Sequence, residues 1–263
     1  MTGKKFENLM DIMRRLRNDC SWDSVQTHDS IKANTLEEAY EVVEAIDEKN
    51  YNELRIELGD LLLHIVFHSV MAEEKNNFNI DNVIDTISEK LIRRHPHVFG
   101  EVKVKNNDDI TRNWETIKLQ EGRKSVLEGV PKHLPELHKA FRLQEKAAKV
   151  GFDWEKKEDV WEKVLEEIEE LKEAETKNDI AFAEEEMGDL LFSLVNYSRF
   201  IGVNPGNALR RTNEKFLKRF QFIEEELTKQ NKKIYDATLE EMDKLWNESK
   251  RIIKSSNSAK HRI

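Results

Sequence analysis

The chain carries one pattern twice, and any fold must accommodate both copies. "TLEEAYEVVEAI" at 35–46 resembles "VLEEIEELKEA" at 164–174, and "ELGDLLLHIV" at 57–66 resembles "EMGDLLFSLV" at 186–195. Both pairs stand 129 residues apart, as Glu37 does from Glu166 and Glu57 from Glu186. The likeness extends outward: "EKLIRR" at 89–94 matches "EKFLKR" at 214–219, and "WETIK" at 114–118 matches "WNESK" at 246–250. Trp22-Asp23 precedes the first copy and Asp153-Trp154 the second. The seam is "EGVPKHLPEL" at 128–137, where Pro131 and Pro135 prevent a continuous helix. The expected organisation is an N-terminal domain at 1–125, a linker at 126–131 and a C-terminal domain at 132–263.

Each copy reads as helix. Leu36, Ala39, Tyr40, Val43 and Ile46 recur at helical spacing. Residues 53–74 are apolar around most of the circumference, which places that helix centrally in a bundle. The segment 80–94 ends before Pro96, which restricts His95 to extended conformations. Breakers are scarce, with 9 Gly and 4 Pro in 263 residues, and no segment sustains a period-2 alternation. The fold class is therefore all-α, two tandem helical bundles. The polar tail at 254–263 is expected to be disordered.

Charge and composition narrow the function. A net charge of −9 gains nothing from a phosphate backbone, so general nucleic-acid binding is excluded. The longest strongly apolar stretch, "LLLHIVF" at 61–67, is far too short to span a bilayer. One cysteine, Cys20, allows no internal disulfide. With no apolar signal-peptide core in "MTGKKFENLM", the expected location is cytoplasmic.

The acidic residues fall on particular faces. Glu167 and Glu170 are neighbours on one helix, as are Glu186 and Asp189 on the next. An antiparallel pair joined through "TKND" at 176–179 would make four carboxylates converge. Like charges at that range need compensation, and Mg2+ or Mn2+ suits an all-oxygen donor set. Glu38, Glu41, Glu57 and Asp60 form the corresponding set in the first copy. Each set includes a mid-helix glycine, Gly59 or Gly188, which suggests close approach by a backbone or ligand. The bland alternative is a non-catalytic helical scaffold whose acidic faces are merely solvated. A redox di-iron bundle needs Glu-x-x-His on two helices, and the i+3 residues here are Glu41, Asp60, Glu170 and Asp189.

EExxE followed by ExxD, with "AAKVGFDW" upstream, "EKFLKRF" downstream and "RRHPHVF" at 93–99, resembles the MazG family of nucleoside triphosphate pyrophosphohydrolases. The likeness spans nearly the whole chain. One departure is "CSWD" at 20–23, where the family usually has Pro in place of Ser21, a loop position outside the acidic set. The resemblance implies an all-α dimer that cleaves NTP to NMP and pyrophosphate with Mg2+. It implies that Glu167, Glu170, Glu186 and Asp189 hold the metal. Glu166 is the spare carboxylate, either a further ligand or the base that orients water. Lys163 reaches the same helical face, and Lys215 and Arg219 stand i, i+4 on a basic helix suited to phosphates. Trp246 is a candidate base platform and Asn196 a candidate hydrogen-bonding contact.

The copies differ beside their acidic sets. Lys163 corresponds to Asn34 and Asn196 to Phe67. The second copy is thus expected to be the main catalyst and the first to support folding and assembly, with a degenerate metal site. His64 and His68 stand i, i+4, but residue 65 is Ile rather than the Glu of an HExxH protease, so both are expected to be structural.

Overall fold

A two-residue turn shapes each half of the chain. The computed structural model describes residues 2–122 and 124–260. Its two compact units are Met1–Trp114 and Glu115–Ile263. The first holds α1 (Thr2–Asp19), a 3-10 turn at Asp23–Val25, α2 (His28–Glu48), α3 (Tyr51–Glu74), α4 (Ile80–Arg94) and α5 (Pro96–Phe99). Helix α6 (Asn107–Gln120) crosses the division. The second holds α7 (Glu136–Ala148), α8 (Lys157–Lys177), α9 (Ile180–Phe200), α10 (Pro205–Lys229), a 3-10 turn at Ile234–Asp236 and α11 (Leu239–Lys260). No strand occurs among the described residues. Helix α11 continues into the tail expected to be disordered, through Lys260, and residues 261–263 lie outside the described residues.

Only Lys49 and Asn50 separate α2 from α3, and only Asn178 and Asp179 separate α8 from α9. Lys49 and Asn178 adopt left-handed φ angles of 57° and 52°, closing the preceding helix. Asn50 Oδ1 then accepts from Glu53 N, and Asp179 Oδ1 from Phe182 N, each satisfying an orphan donor of the next helix. So short a link leaves the two helices no arrangement but antiparallel neighbours. The acidic hairpin is therefore dictated locally, before any tertiary packing.

In the first unit α3 packs against α1, α2 and α4. Its core is Met10, Met13, Ile31, Val66, Phe67, Val70, Met71 and Ile80. Arg17 lies over the Phe67 ring, 5.7 Å from its centroid, and donates to both oxygens of Glu74 at 2.7 and 2.6 Å. In the second unit α9 packs against α7 and α8, and α10 against α7 and α11. Ile223, Leu227 and Leu245 form a small core there. The buried Lys146 donates to Val126 O and Glu128 O at 3.0 and 3.1 Å, which ties the Pro-containing seam to this unit.

Helix α3 is buried less evenly than its apolar circumference predicts. Val66, Phe67 and Val70 are buried, but Leu58, Leu62 and Ile65 are 50%, 37% and 43% exposed. Their equivalents on α9, Met187, Leu191 and Leu194, are 45%, 47% and 40% exposed. Both units thus leave the same apolar face of the acidic hairpin open.

Candidate functional site

Helices α8 and α9 bring Glu167, Glu186 and Asp189 together, with one carboxylate oxygen of each within 4.8 Å of the others. Glu167 and Glu186 are buried, only 4% and 8% exposed, which is uncommon for a carboxylate. Burial raises the Glu186 carboxyl above its ordinary value, and the charges of Glu170, Glu167 and Asp189 raise it further. Glu170, half-buried one turn beyond Glu167, is raised by burial and then by Glu167. The charged forms of these groups strain against one another.

The one positive group that this cluster holds in an ion pair among the described residues is Lys163. Its Nζ lies 2.6 Å from Glu167 Oε1 and 3.0 Å from Glu166 Oε1. Those two hydrogen bonds, to Glu167 and then Glu166, push the ammonium's pKa up, so it stays charged. One ammonium against four neighbouring carboxylates leaves a surplus of negative charge. All the donors are oxygens, which fits a hard divalent cation better than a thiolate- or imidazole-loving metal.

The cluster opens on a cavity of about 930 Å³ whose lining includes Lys163, Glu167, Asp189, Asn196, Phe152 and Trp154. That volume is in the upper range for a small-molecule site. Three other residues of its lining, Gln144, Asp153 and Arg199, were not among the candidates. Arg199 grips Asp153 with both terminal nitrogens, Nη1 to Oδ2 at 2.8 Å and Nη2 to Oδ1. Arg199 Nη2 also donates to Asn196 Oδ1 at 2.9 Å. Gln144 on α7 is 8% exposed and donates from Nε2 to Phe192 O at 2.8 Å. Arg199 stands three residues after Asn196, so helical spacing could have placed it beside Asn196. No sequence signal pointed to Gln144.

The first unit repeats the cluster with weaker surroundings. Glu38, Glu41 and Glu57 present oxygens within 4.8 Å of one another, but none of the three is buried. Burial and neighbouring acids raise Glu38 and Glu57. Asp60 acts on both through its charge. At the Lys163 position Asn34 offers only a 3.5 Å contact to Glu37 Oε2. At the Asn196 position Phe67 fills the core, 4% exposed. His64 and His68 join through Thr35, whose Oγ1 is 3.1 Å from His64 Nδ1 and from His68 Nε2. His68 Nδ1 meets His28 Nδ1 at 2.8 Å, and burial holds both His64 and His68 below the usual imidazole range.

Some candidate residues are not gathered into this cavity. Lys215 is exposed on α10, and Arg219 lies over the Trp246 ring at 5.2 Å. Trp246 packs against the Ile223–Leu227–Leu245 core and the Phe216 ring. None of the three is among the residues lining the cavity. The glycine expectation fails for contacts within the chain: a methyl group on Gly59 or Gly188 would meet no atom within 4 Å.

Tandem all-α bundles, each with a tight hairpin that gathers three carboxylates, define a class of duplicated helical protein. Residues 26–99 and 155–221 match the MazG nucleotide pyrophosphohydrolase domain. The chain is 46% identical over 253 residues to a Thermotoga maritima nucleoside triphosphate pyrophosphohydrolase/pyrophosphatase MazG, covering 94% of this chain and 96% of that one. It is 41% identical over 256 residues to an Escherichia coli nucleoside triphosphate pyrophosphohydrolase, covering 94% and 97%. It is 47% identical over 255 residues to the uncharacterized protein YabN of Bacillus subtilis, covering 94% of this chain and 52% of that one. The chain belongs to the MazG family. Among the described residues no helix is long and apolar enough to cross a membrane.

Proposed function

We propose that the chain is a Mg2+-dependent nucleoside triphosphate pyrophosphohydrolase that cleaves NTP or dNTP to NMP and pyrophosphate, with the second unit as its main active site. The observation that carries this is the convergence of Glu167, Glu186 and Asp189 within 4.8 Å at the edge of a nucleotide-sized cavity. The names of its relatives support the activity.

Glu167, Glu170, Glu186 and Asp189 would hold the cation, Mg2+ or Mn2+. When bound, it neutralises the charge that accumulates on the triphosphate and its leaving group. Glu166 is 57% exposed on its side chain and held by Lys163, so it remains available to orient a water at the α-phosphorus. That water's oxygen bonds to the α-phosphorus and its proton passes to a carboxylate. The bond to the α–β bridging oxygen breaks, and pyrophosphate departs with the electron pair. Lys163, permanently charged, offsets negative charge beside this site. The half-exposed first cluster, with Asn34 in place of the cation, serves folding and assembly.

The functional unit is a homodimer. Leu165, Met187, Leu191 and Leu194 form an open apolar face on α8 and α9, repeated at Leu36, Leu58, Leu62 and Ile65. A self-complementary patch of this kind favours two-fold pairing. A second copy could also supply the phosphate-binding groups Lys215 and Arg219 and the Trp246 ring, which do not line the cavity of their own chain.

The test is to incubate the full chain with NTPs and dNTPs plus Mg2+ and identify the products. Monophosphate plus pyrophosphate is expected. Diphosphate plus orthophosphate would refute the assigned cleavage, and no turnover would refute the activity.

A further inference from the structure

We propose that the first unit holds a divalent transition metal of the Zn2+ class through His64 Nε2 and the Glu38 carboxylate, a mixed nitrogen and oxygen site that the second unit lacks. It stands apart from the triphosphate chemistry of the second unit and bridges α2, which carries Glu38, to α3, which carries His64.

Hydrogen bonding fixes the tautomer of His64. Thr35 Oγ1 lies 3.1 Å from Ile31 O, which can only accept, so the single hydroxyl proton goes there. Toward His64 Nδ1, also at 3.1 Å, the hydroxyl oxygen is then the acceptor, and Nδ1 carries the ring proton. Burial lowers the pKa of His64 and keeps the ring neutral, while the charge of Asp60, one turn earlier on α3, opposes the lowering. The lone pair therefore sits on Nε2. A metal-binding imidazole is held in this way, by an oxygen on its other ring nitrogen. His68 is different. Its Nε2 faces Thr35 Oγ1 at 3.1 Å and its Nδ1 faces His28 Nδ1 at 2.8 Å, so both of its nitrogens are occupied.

His64 is 8% exposed, and its Nε2 lies 3.8 Å from Glu38 Oε1, beyond hydrogen-bond reach. The atom is not sealed in. Among the described residues the polar side-chain atoms cut off from solvent without a partner belong to Trp114, Gln144, Arg199 and Arg219. A buried ring thus presents one open lone pair to a carboxylate. Glu38 in turn has an oxygen within 4.8 Å of oxygens of Glu41 and Glu57, so it joins the imidazole to the acidic cluster. Ligand bonds of about 2.0–2.2 Å set two donors of one tetrahedral ion about 3.4 Å apart, so the nitrogen and oxygen need close by only a few tenths of an ångström.

The repeat shows what this arrangement adds. At a spacing of 129 residues, His64 becomes Ser193 and Thr35 becomes Val164. Ser193 turns its hydroxyl back to Leu190 O at 3.0 Å, and Val164 has no hydroxyl to orient a ring. Both the nitrogen donor and the group that aims it are therefore absent from the second unit. An all-oxygen cluster suits Mg2+, whereas an imidazole nitrogen moves the preference toward Zn2+ and its neighbours.

The experiment is calorimetric titration of the full, metal-free chain with Zn2+ and, separately, with Mg2+. It compares wild type with His64→Ser and Thr35→Val, each of which copies the second unit. Wild type should bind Zn2+, and His64→Ser should weaken one Zn2+ site by about tenfold or more, as the loss of a metal-site partner does. Thr35→Val keeps the ring but not its orienting oxygen and should weaken the same site. Mg2+ binding should be alike in all three proteins, and circular dichroism checks that each is folded. A wild type that binds no Zn2+ overturns the proposal without any variant. So does Zn2+ bound equally by wild type and whichever variant folds, which places the ion on another group such as His28. An equal loss of Zn2+ and Mg2+ in a folded variant overturns it too, because a merely distorted cluster loses both. Pyrophosphate release is not the readout, so each of these results leaves the reading of the second unit as it was.

Discussion

Phe67→Asn copies into the first unit the residue that the second unit carries at the same place, and the two environments set its cost. Phe67 is 4% exposed among Met10, Met13, Val70 and Met71, with the Arg17 guanidinium 5.7 Å from its ring centroid. Truncating a buried Phe costs about 3–5 kcal/mol through lost transfer energy and the cavity left behind. An amide stranded in that apolar surrounding adds about 1–3 kcal/mol. The sum, about 4–8 kcal/mol, is a large part of a domain's total stability of about 5–15 kcal/mol. At roughly 2.1 cal/mol/K of unfolding entropy per residue, the unit Met1–Trp114 should lose roughly 15–35 °C of Tm. The assay is calorimetry of the full chain, with pyrophosphate release in parallel. Release at temperatures where the first unit stays folded should survive, because the cation cluster of the second unit is untouched. A Tm loss under about 5 °C would refute the claim that the first unit has a packed core where the second has a ligand cavity. So would a gain of turnover that persists when the second cluster is neutralised. The converse change, Asn196→Phe, should reduce turnover steeply by filling the cavity, with circular dichroism showing the helices intact.

Mg2+ at 100 times its Kd should stabilise the chain by about 2.7 kcal/mol, raising the Tm of the second unit by roughly 8 °C in a thermal scan, and Glu167→Gln should abolish that response. The same response should grow with pH. Burial and neighbouring charge raise Glu170 and Glu186 above the ordinary 4.5, so the folded chain holds protons there that the unfolded chain has released. Their contribution to metal-free stability is fully present below 4.5 and is lost as pH rises through the raised values, where Mg2+ no longer competes with protons. Mg2+ titrations at pH 5 and pH 8 check this, and a stronger response at the lower pH would contradict it. Asp153→Asn should break the pair with Arg199, whose side chain is only 16% exposed, costing about 1–3 kcal/mol and raising KM more than it lowers kcat. Sedimentation at micromolar concentration should report a dimer, and Leu191→Lys, on the open apolar face, should shift it toward monomer. A compact wild-type monomer would refute the assembly.

The helical hairpins were legible because their causes are local: Asn50 and Asp179 cap the second helix of each pair, and three-residue spacing puts the acids on one face. The acidic clusters followed from the same spacing applied to two helices joined tightly. Gln144 and the Arg199–Asp153 pair lie outside that logic, because their meeting depends on how α7 and the loop before α8 pack onto α9. Burial was misjudged along α3 for a related reason. Apolar character around a helix says that each face wants cover, but Leu58, Leu62 and Ile65 find only partial cover among the described residues. Gly59 and Gly188 likewise have open space beside them, so their role is not set by contacts within the chain.

The central claim is that the second unit's carboxylates perform the cleavage. Its most direct test is pyrophosphate release with Mg2+ by wild type and two multiple variants. One neutralises Glu38, Glu41, Glu57 and Asp60 to their amides, and the other neutralises Glu167, Glu170, Glu186 and Asp189. Circular dichroism confirms the folding of each. Wild type and the first-cluster variant should both release pyrophosphate, and the second-cluster variant should release none above background. An active, folded second-cluster variant, or a folded first-cluster variant without activity, would contradict the assignment.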